Sequence, residues 1–187
     1  MTHALKTAFC AAALAGTLAA PAGAQNTADD WKWVVDFSSR HDGWDASCDQ
    51  HKERKERRCY VRYVDVYAPR PQFGAAFAFV QWGEDGESVI EFSFERGTRF
   101  RDGGFAVTEA DGNVWALDTA QCAANRCELT GDEADALFAA LTPGRDLTLR
   151  FADRYGRIWE RQWPAGGFAA ALADLCAQYV ARGLPGS

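Results

Sequence analysis

The sequence predicts a mainly β fold: a single-domain β-sandwich or partly closed barrel with two helices (about 132–141 and 167–182) and two short-range disulfides. Three observations carry this expectation. Apolar and polar residues alternate over short runs, as where Leu147, Leu149 and Phe151 interleave with Thr148 and Arg150, the period of a strand with one buried face. Two later stretches change to helical spacing. Cysteines fall in close pairs behind an N-terminus that reads as an export signal.

The chain has 187 residues, enough for one domain with a substantial core. Aromatics make up 13%, including seven tryptophans, which suits strands and a core of flat rings. A net charge of −6 argues against nucleic acid, whose phosphates call for a basic surface.

At the N-terminus, Lys6, the apolar stretch Ala8 to Ala20 and Ala22-Gly23-Ala24 before Gln25 form a signal-peptide pattern. The expected organisation is a signal peptide over 1–24, a leader and first strand over 25–43, and the main domain over 44–183. The apolar stretch is too short for a membrane span, and no other segment approaches about 18 apolar residues. The mature chain is therefore expected without a transmembrane span, in the periplasm or cell envelope. Phe9 before Cys10 is bulky where lipid attachment wants a small residue.

Five cysteines remain after cleavage. In an oxidising compartment local pairs are expected, Cys48 with Cys59 and Cys122 with Cys127, although four cysteines allow three connectivities. Metal binding by these thiols is the sharper alternative, but no C-x-x-C or neighbouring Cys/His spacing supports it. Cys176 lies beside an apolar helix stripe, where a thiol packs as a small hydrophobe. Exposed at the helix edge, it would instead suit an intermolecular disulfide.

The elements follow in order. Trp31 to Phe37 reads as a first strand, and Ser38 to Gly43 as a turn. Trp44 to Cys48 enters the first cysteine loop, whose tip, Lys52 to Arg58, holds five basic and two acidic residues. Tyr60 to Tyr67 has strand composition, and Ala68-Pro-Arg-Pro71 breaks the ladder. Strands follow over 75–82 and 88–95 around a Gly83–Gly86 hairpin turn, then a turn-rich connection over 96–104. A hairpin over 105–109 and 113–118 precedes the second cysteine pair. Thr130 and Glu133 form a capping-box pattern opening the helix 132–141, which Pro143-Gly144 ends. Strands over 146–153 and 157–163 pair through Tyr155-Gly156, and Phe168, Leu172, Leu175 and Tyr179 mark one face of the closing helix, stopped by Gly183.

No catalytic constellation emerges. After export only His41 and His51 remain as histidines, both in polar, turn-like sequence, and no nucleophile elbow, phosphate loop or dinucleotide fingerprint is present. No catalytic residue, metal site or cofactor is therefore assigned. Acidic pairs are too numerous to specify a glycosidase. Two features are candidate contact surfaces. The tip residues Lys52, Arg54, Lys55, Arg57 and Arg58 could meet an anionic partner, or merely keep a hairpin solvated. Arg157, Trp159, Arg161 and Trp163 share one face of their strand and read as a half-exposed surface. The tryptophans could also line a sugar-stacking surface, though strand aromatics usually form core or cross-strand pairs.

Trp44-Asp-Ala-Ser-Cys48 and Cys59-Tyr-Val, followed by the Cys122–Cys127 pair, a helix, an alternating strand and Gly167-Phe168-Ala-Ala-Ala-Leu172, resemble the invasion-associated locus B family of exported bacterial proteins. The resemblance covers roughly 44–182. Residues 31–37, the basic tip and Cys176 stand outside its pattern, and Glu95-Arg96-Gly97 replaces its Pro-Gly step. It implies an exported periplasmic or envelope protein associated in some pathogens with host-cell invasion, with no established reaction or cofactor. The expected role is non-enzymatic binding to an envelope or surface protein, an anionic glycan or a lipid headgroup. An envelope-carbohydrate hydrolase is the alternative, and oligomeric state stays open.

Overall fold

A computed structural model describes residues 32–68, 73–83, 85–94, 105–109, 112, 114–117, 122–123, 125–153 and 155–185. The expected signal peptide (1–24), leader (25–30) and connection (96–104) lie outside the described residues.

The strands are β1 (Trp33–His41), β2 (Trp44–His51), β3 (Arg57–Ala68), β4 (Gly74–Trp82), β5 (Ser88–Phe94), β6 (Phe105–Thr108), β7 (Val114–Leu117), β8 (Cys122–Ala123), β9 (Arg126–Thr130), β10 (Leu147–Ala152) and β11 (Ile158–Trp163). Helix α1 (Gly131–Leu141) lies between β9 and β10, and α2 (Phe168–Arg182) closes the chain. The strands form two antiparallel sheets, ordered β1-β2-β3-β4-β5-β9-β8 and β11-β10-β6-β7. The sheets face each other without closing, so the sandwich alternative is the realised one.

Strand alternation sets the layers. One parity of the large sheet is sealed: Trp44, Ala46 and Cys48 on β2, Val61 on β3, Ala78 and Val80 on β4, and Ile90, Phe92 and Phe94 on β5. Towards the small sheet these meet Phe105, Phe151 and Trp163, with ring centroids 4.5 Å apart for Phe92–Phe105, 4.9 Å for Phe94–Phe151 and 5.4 Å for Phe92–Trp163. Each such pair adds about 0.5–1.5 kcal/mol beyond its buried area. The helices cover the rest of this face: α2 lies on β1, β2 and β3, and α1 on β5 and β9. Phe168, Ala171, Leu172, Leu175 and Tyr179 form the buried stripe of α2.

Both short disulfides are present, Cys48–Cys59 across β2–β3 and Cys122–Cys127 across β8–β9. Cys176 is half-buried against the core rather than sealed within it, and no described cysteine is a free thiol.

Three local expectations are corrected. The strand expected to stop at Phe37 continues to His41, and Asp42 and Gly43, with φ of 47° and 94°, make the turn. Two successive positive φ values are what a two-residue type I′ hairpin needs. Residues 44–48 belong to a full strand, not a loop entry. Thr130 stands at the N-cap of α1, but its hydroxyl makes no capping hydrogen bond. Its place in the β9 ladder, opposite Val89, holds the backbone extended.

Candidate interaction surface

Among the described residues, no helix or second sheet packs on the outer parity of the β1–β4 region. The basic tip sits at its end, between β2 and β3. The turn closes with His51 N donating to Glu56 O at 2.8 Å and Lys55 N to His51 O at 3.0 Å, while Lys55 takes the left-handed conformation (φ 62°). The His51 ring is buried, and its Nδ1 accepts the backbone N–H groups of Glu53 (3.3 Å) and Arg54 (3.0 Å). Lys52 N donates to Lys32 O at 2.9 Å, and Lys32 Nζ meets Glu53 at 3.0 Å. The tip is thus tied to the residue preceding β1. The first strand and the tip, separate additions in the sequence pattern, form one structural unit.

The five tip cations divide into three kinds. Arg54 pairs with Glu56 at 3.0 Å. Arg58 is withdrawn: its guanidinium lies 4.2 Å over the Trp33 ring while Nε donates to buried Asp49 at 3.1 Å. Lys52, Lys55 and Arg57 are exposed and make no ion pair among the described residues. Residues 40–62 hold seven Lys/Arg against five Asp/Glu, in a chain whose total is −6. The local excess is therefore a positive pole on an acidic protein.

From the tip a line of flat groups crosses the outer sheet face. Arg58 stacks on Trp33 and lies 5.9 Å from the Tyr60 ring. Tyr60 meets Phe79 at 5.7 Å, and Phe79 lies nearly parallel to Phe77 at 6.3 Å. All five are half-buried. Beside them Asp45 is held between Arg40 (2.7 Å) and Arg62 (3.1 Å). The hydrogen bond from Arg40, with help from Arg62, keeps the Asp45 carboxyl below its ordinary range against the opposing effect of burial. Burial and the nearby Asp49 carboxylate push the Tyr60 phenol up.

Of the β11 quartet, Arg157 is exposed, Trp159 and Arg161 are half-buried, and Trp163 is sealed. Trp163 has no exposed area and packs on Trp44 at 5.4 Å and Phe92. Trp159 and Arg161 share its inward parity, with Trp159 5.0 Å from Tyr67 and Arg161 in a two-point pair with Asp65 at 2.7 and 2.9 Å. Arg157 folds onto Asp153 at 2.8 Å. Arg161 stays part-exposed while Asp65 of β3 answers its charge.

A shallow groove of about 520 Å³ lies between α1 and the β6–β7 hairpin, lined by Glu109, Val114, Trp115, Ala136, Ala139, Ala140 and Arg145. Its one carboxylate among the described residues, Glu109, pairs with Arg145 at 2.9 Å. Glycoside hydrolysis uses two carboxylates flanking the bond, so this groove gives the hydrolase reading no support. Among the described residues, no three His, Cys, Asp or Glu side chains gather as a metal site, and no helix is long and apolar enough to cross a membrane.

A two-sheet sandwich pinned by two hairpin disulfides, with two helices packed on the inner face of its large sheet, is the class of fold described here. In three dimensions it is similar to the crystal structure of invasion associated protein B from Bartonella henselae, with a TM-score of 0.56 and 16% sequence identity, over 77% of this chain and 99% of that one. The resemblance read from the cysteine frame and the closing helix thus holds at the level of fold. The sequence matches no protein-family model and none of the curated proteins.

Proposed function

We propose that this is an exported envelope protein of the invasion-associated type, which binds an anionic partner non-enzymatically through the hairpin tip of β2 and β3. One observation carries the reading: Lys52, Lys55 and Arg57 project, without ion-pair partners among the described residues, from a turn that His51 and Lys32 hold in place. Solvated cations on an ordered turn bind with less ordering entropy to lose than cations on a loose loop. The likeness to invasion associated protein B and the two disulfides, which form outside a reducing cytoplasm, support export and an envelope setting.

The test compares the exported protein with its Lys52→Ser/Lys55→Ser/Arg57→Ser variant, using phosphatidylglycerol vesicles and polygalacturonate as probes. The wild type should bind at least one probe, more weakly as salt rises, and the variant should lose that binding at unchanged thermal stability. Equal binding by the variant would remove the tip from the function. Arg58 is left intact, because its ring contact and its bond to Asp49 make it part of the fold.

A further inference from the structure

Resting on that reading, we infer that the outer face formed by β3, β4 and the start of β1 is a platform for a linear acidic polysaccharide, whose sugar rings lie along the Trp33–Arg58–Tyr60–Phe79–Phe77 line while its acid groups meet Lys52, Lys55 and Arg57. The flat groups follow one another at 4.2, 5.9, 5.7 and 6.3 Å, and none is either sealed or fully exposed. Phe77 and Phe79 lie within 12° of parallel, and Tyr60 stands at 71° to Phe79 beside them, so the half-buried pair with its upright neighbour is an apolar strip on which the C–H face of a pyranose can pack. Arg58 continues the line because a guanidinium held against Trp33 and Asp49 is itself a planar group.

Charge selects among anionic partners. Exposed Glu53 and Glu56 stand between the tip cations, and Glu91 lies opposite Phe79 on β5. A phosphodiester strand offers these carboxylates only acceptor oxygens along its backbone. A polysaccharide carries its acid groups among many hydroxyls, which can donate to carboxylates. Membrane insertion is a poorer fit: residues 52–58 contain no apolar side chain, and the aromatic line is recessed in the sheet rather than projecting beyond the cations.

Polygalacturonate, dextran, phosphatidylglycerol vesicles and oligo-dT serve as probes for the full exported chain by titration calorimetry and affinity electrophoresis. Polygalacturonate should bind and dextran should bind far more weakly. Phe77→Leu/Phe79→Leu keeps the apolar bulk and removes the ring faces. It should weaken polygalacturonate binding about tenfold, the scale of lost aromatic stacking, with its melting temperature within a few degrees of wild type. Phe77→Leu alone should give a smaller loss, and supplies the readout if the double variant unfolds. Polygalacturonate affinity unchanged in these variants overturns the platform while leaving the anionic tip standing. Binding to vesicles or oligo-dT as tight as to polygalacturonate overturns the polysaccharide assignment in favour of charge alone. Failure to bind any anionic probe overturns both readings.

Discussion

The backbone of Gly167 packs directly against the carbonyl oxygen of His41, so that a β-carbon on Gly167 would overlap that oxygen. Gly167 also has φ of 83° at the N-cap of α2, a conformation that side-chain-bearing residues adopt with strain. The contact joins the end of β1 to the start of α2, and Asp174 extends it by accepting from Ser39 at 2.5 Å and meeting His41 Nε2 at 2.8 Å. Because the obstructing atom is backbone, it cannot swing aside. Gly167→Ala should lower unfolding free energy by about 1–3 kcal/mol, measured by urea unfolding. A stability equal to wild type would show that β1 and α2 separate without loss.

The Cys48–Cys59 bond crosses two strands at a directly paired position, and both residues are buried. Its loop spans a sequence separation of 11, against 5 for Cys122–Cys127. Cys48→Ala/Cys59→Ala should lower stability by about 2–3 kcal/mol on the chain-entropy account, and Cys122→Ala/Cys127→Ala by less, since its loop is shorter. Urea midpoints of the two variants give the comparison. The reverse order would mean that the β8–β9 hairpin depends on its bond for more than loop closure.

Tyr179 is the polar pin between α2 and the large sheet. Its buried hydroxyl donates to Cys59 O at 3.1 Å and accepts from Trp82 N at 3.3 Å. Tyr179→Phe keeps the ring contact with Trp82, at 4.9 Å, but removes the partner of a buried N–H. The expected loss is about 1–3 kcal/mol, with far-ultraviolet circular dichroism unchanged. A neutral substitution would show that other groups take up those backbone atoms.

Which parts of this fold could be read from sequence follows from what each signal encodes. Alternation in β10 and the apolar stripe of α2 are local patterns, and both elements stand where those patterns put them. Residues 38–41 read as a turn in sequence because Ser38, Ser39, Arg40 and His41 are polar. They form an edge strand whose stabilising contacts are polar, through Asp174 to α2 and Asp45 to β2. For β11, alternation correctly put Trp159, Arg161 and Trp163 on one face but could not say which way that face pointed. The countercharge that pairs with part-exposed Arg161 comes from Asp65, 96 positions earlier. Sequence proximity groups Arg58 with the tip, whereas Trp33 and Asp49 fold it into the sheet face. The Tyr60–Phe79–Phe77 line is not legible in sequence for a related reason: its rings come from two strands, and only their register brings them together.

Acid should destabilise this protein through a small set of carboxylates, of which Asp153 is the most enclosed. It accepts from Tyr155 N at 2.8 Å, Arg157 N at 3.0 Å, Arg157 Nε at 2.8 Å and Trp159 Nε1 at 3.1 Å, organising the β10–β11 turn. Burial alone would raise its pKa, but the bonds from Trp159, from Arg157 and from Tyr155 outweigh it and hold the carboxyl below its ordinary range. Asp174 is likewise held low by Ser39 and then His41, and Asp45 by Arg40. A carboxyl harder to protonate folded than unfolded stabilises the fold above its unfolded value of about 3.9, and that contribution is lost as pH falls through the lower folded value. The melting temperature should therefore change little through these groups between pH 7 and about 5, then fall progressively below about 4. Asp153→Asn preserves shape but replaces an oxygen acceptor with an amide that donates. It should be less stable than wild type at pH 7 and show a shallower decline below pH 4. An acid slope identical to wild type would assign the loss to Asp45 and Asp174 instead.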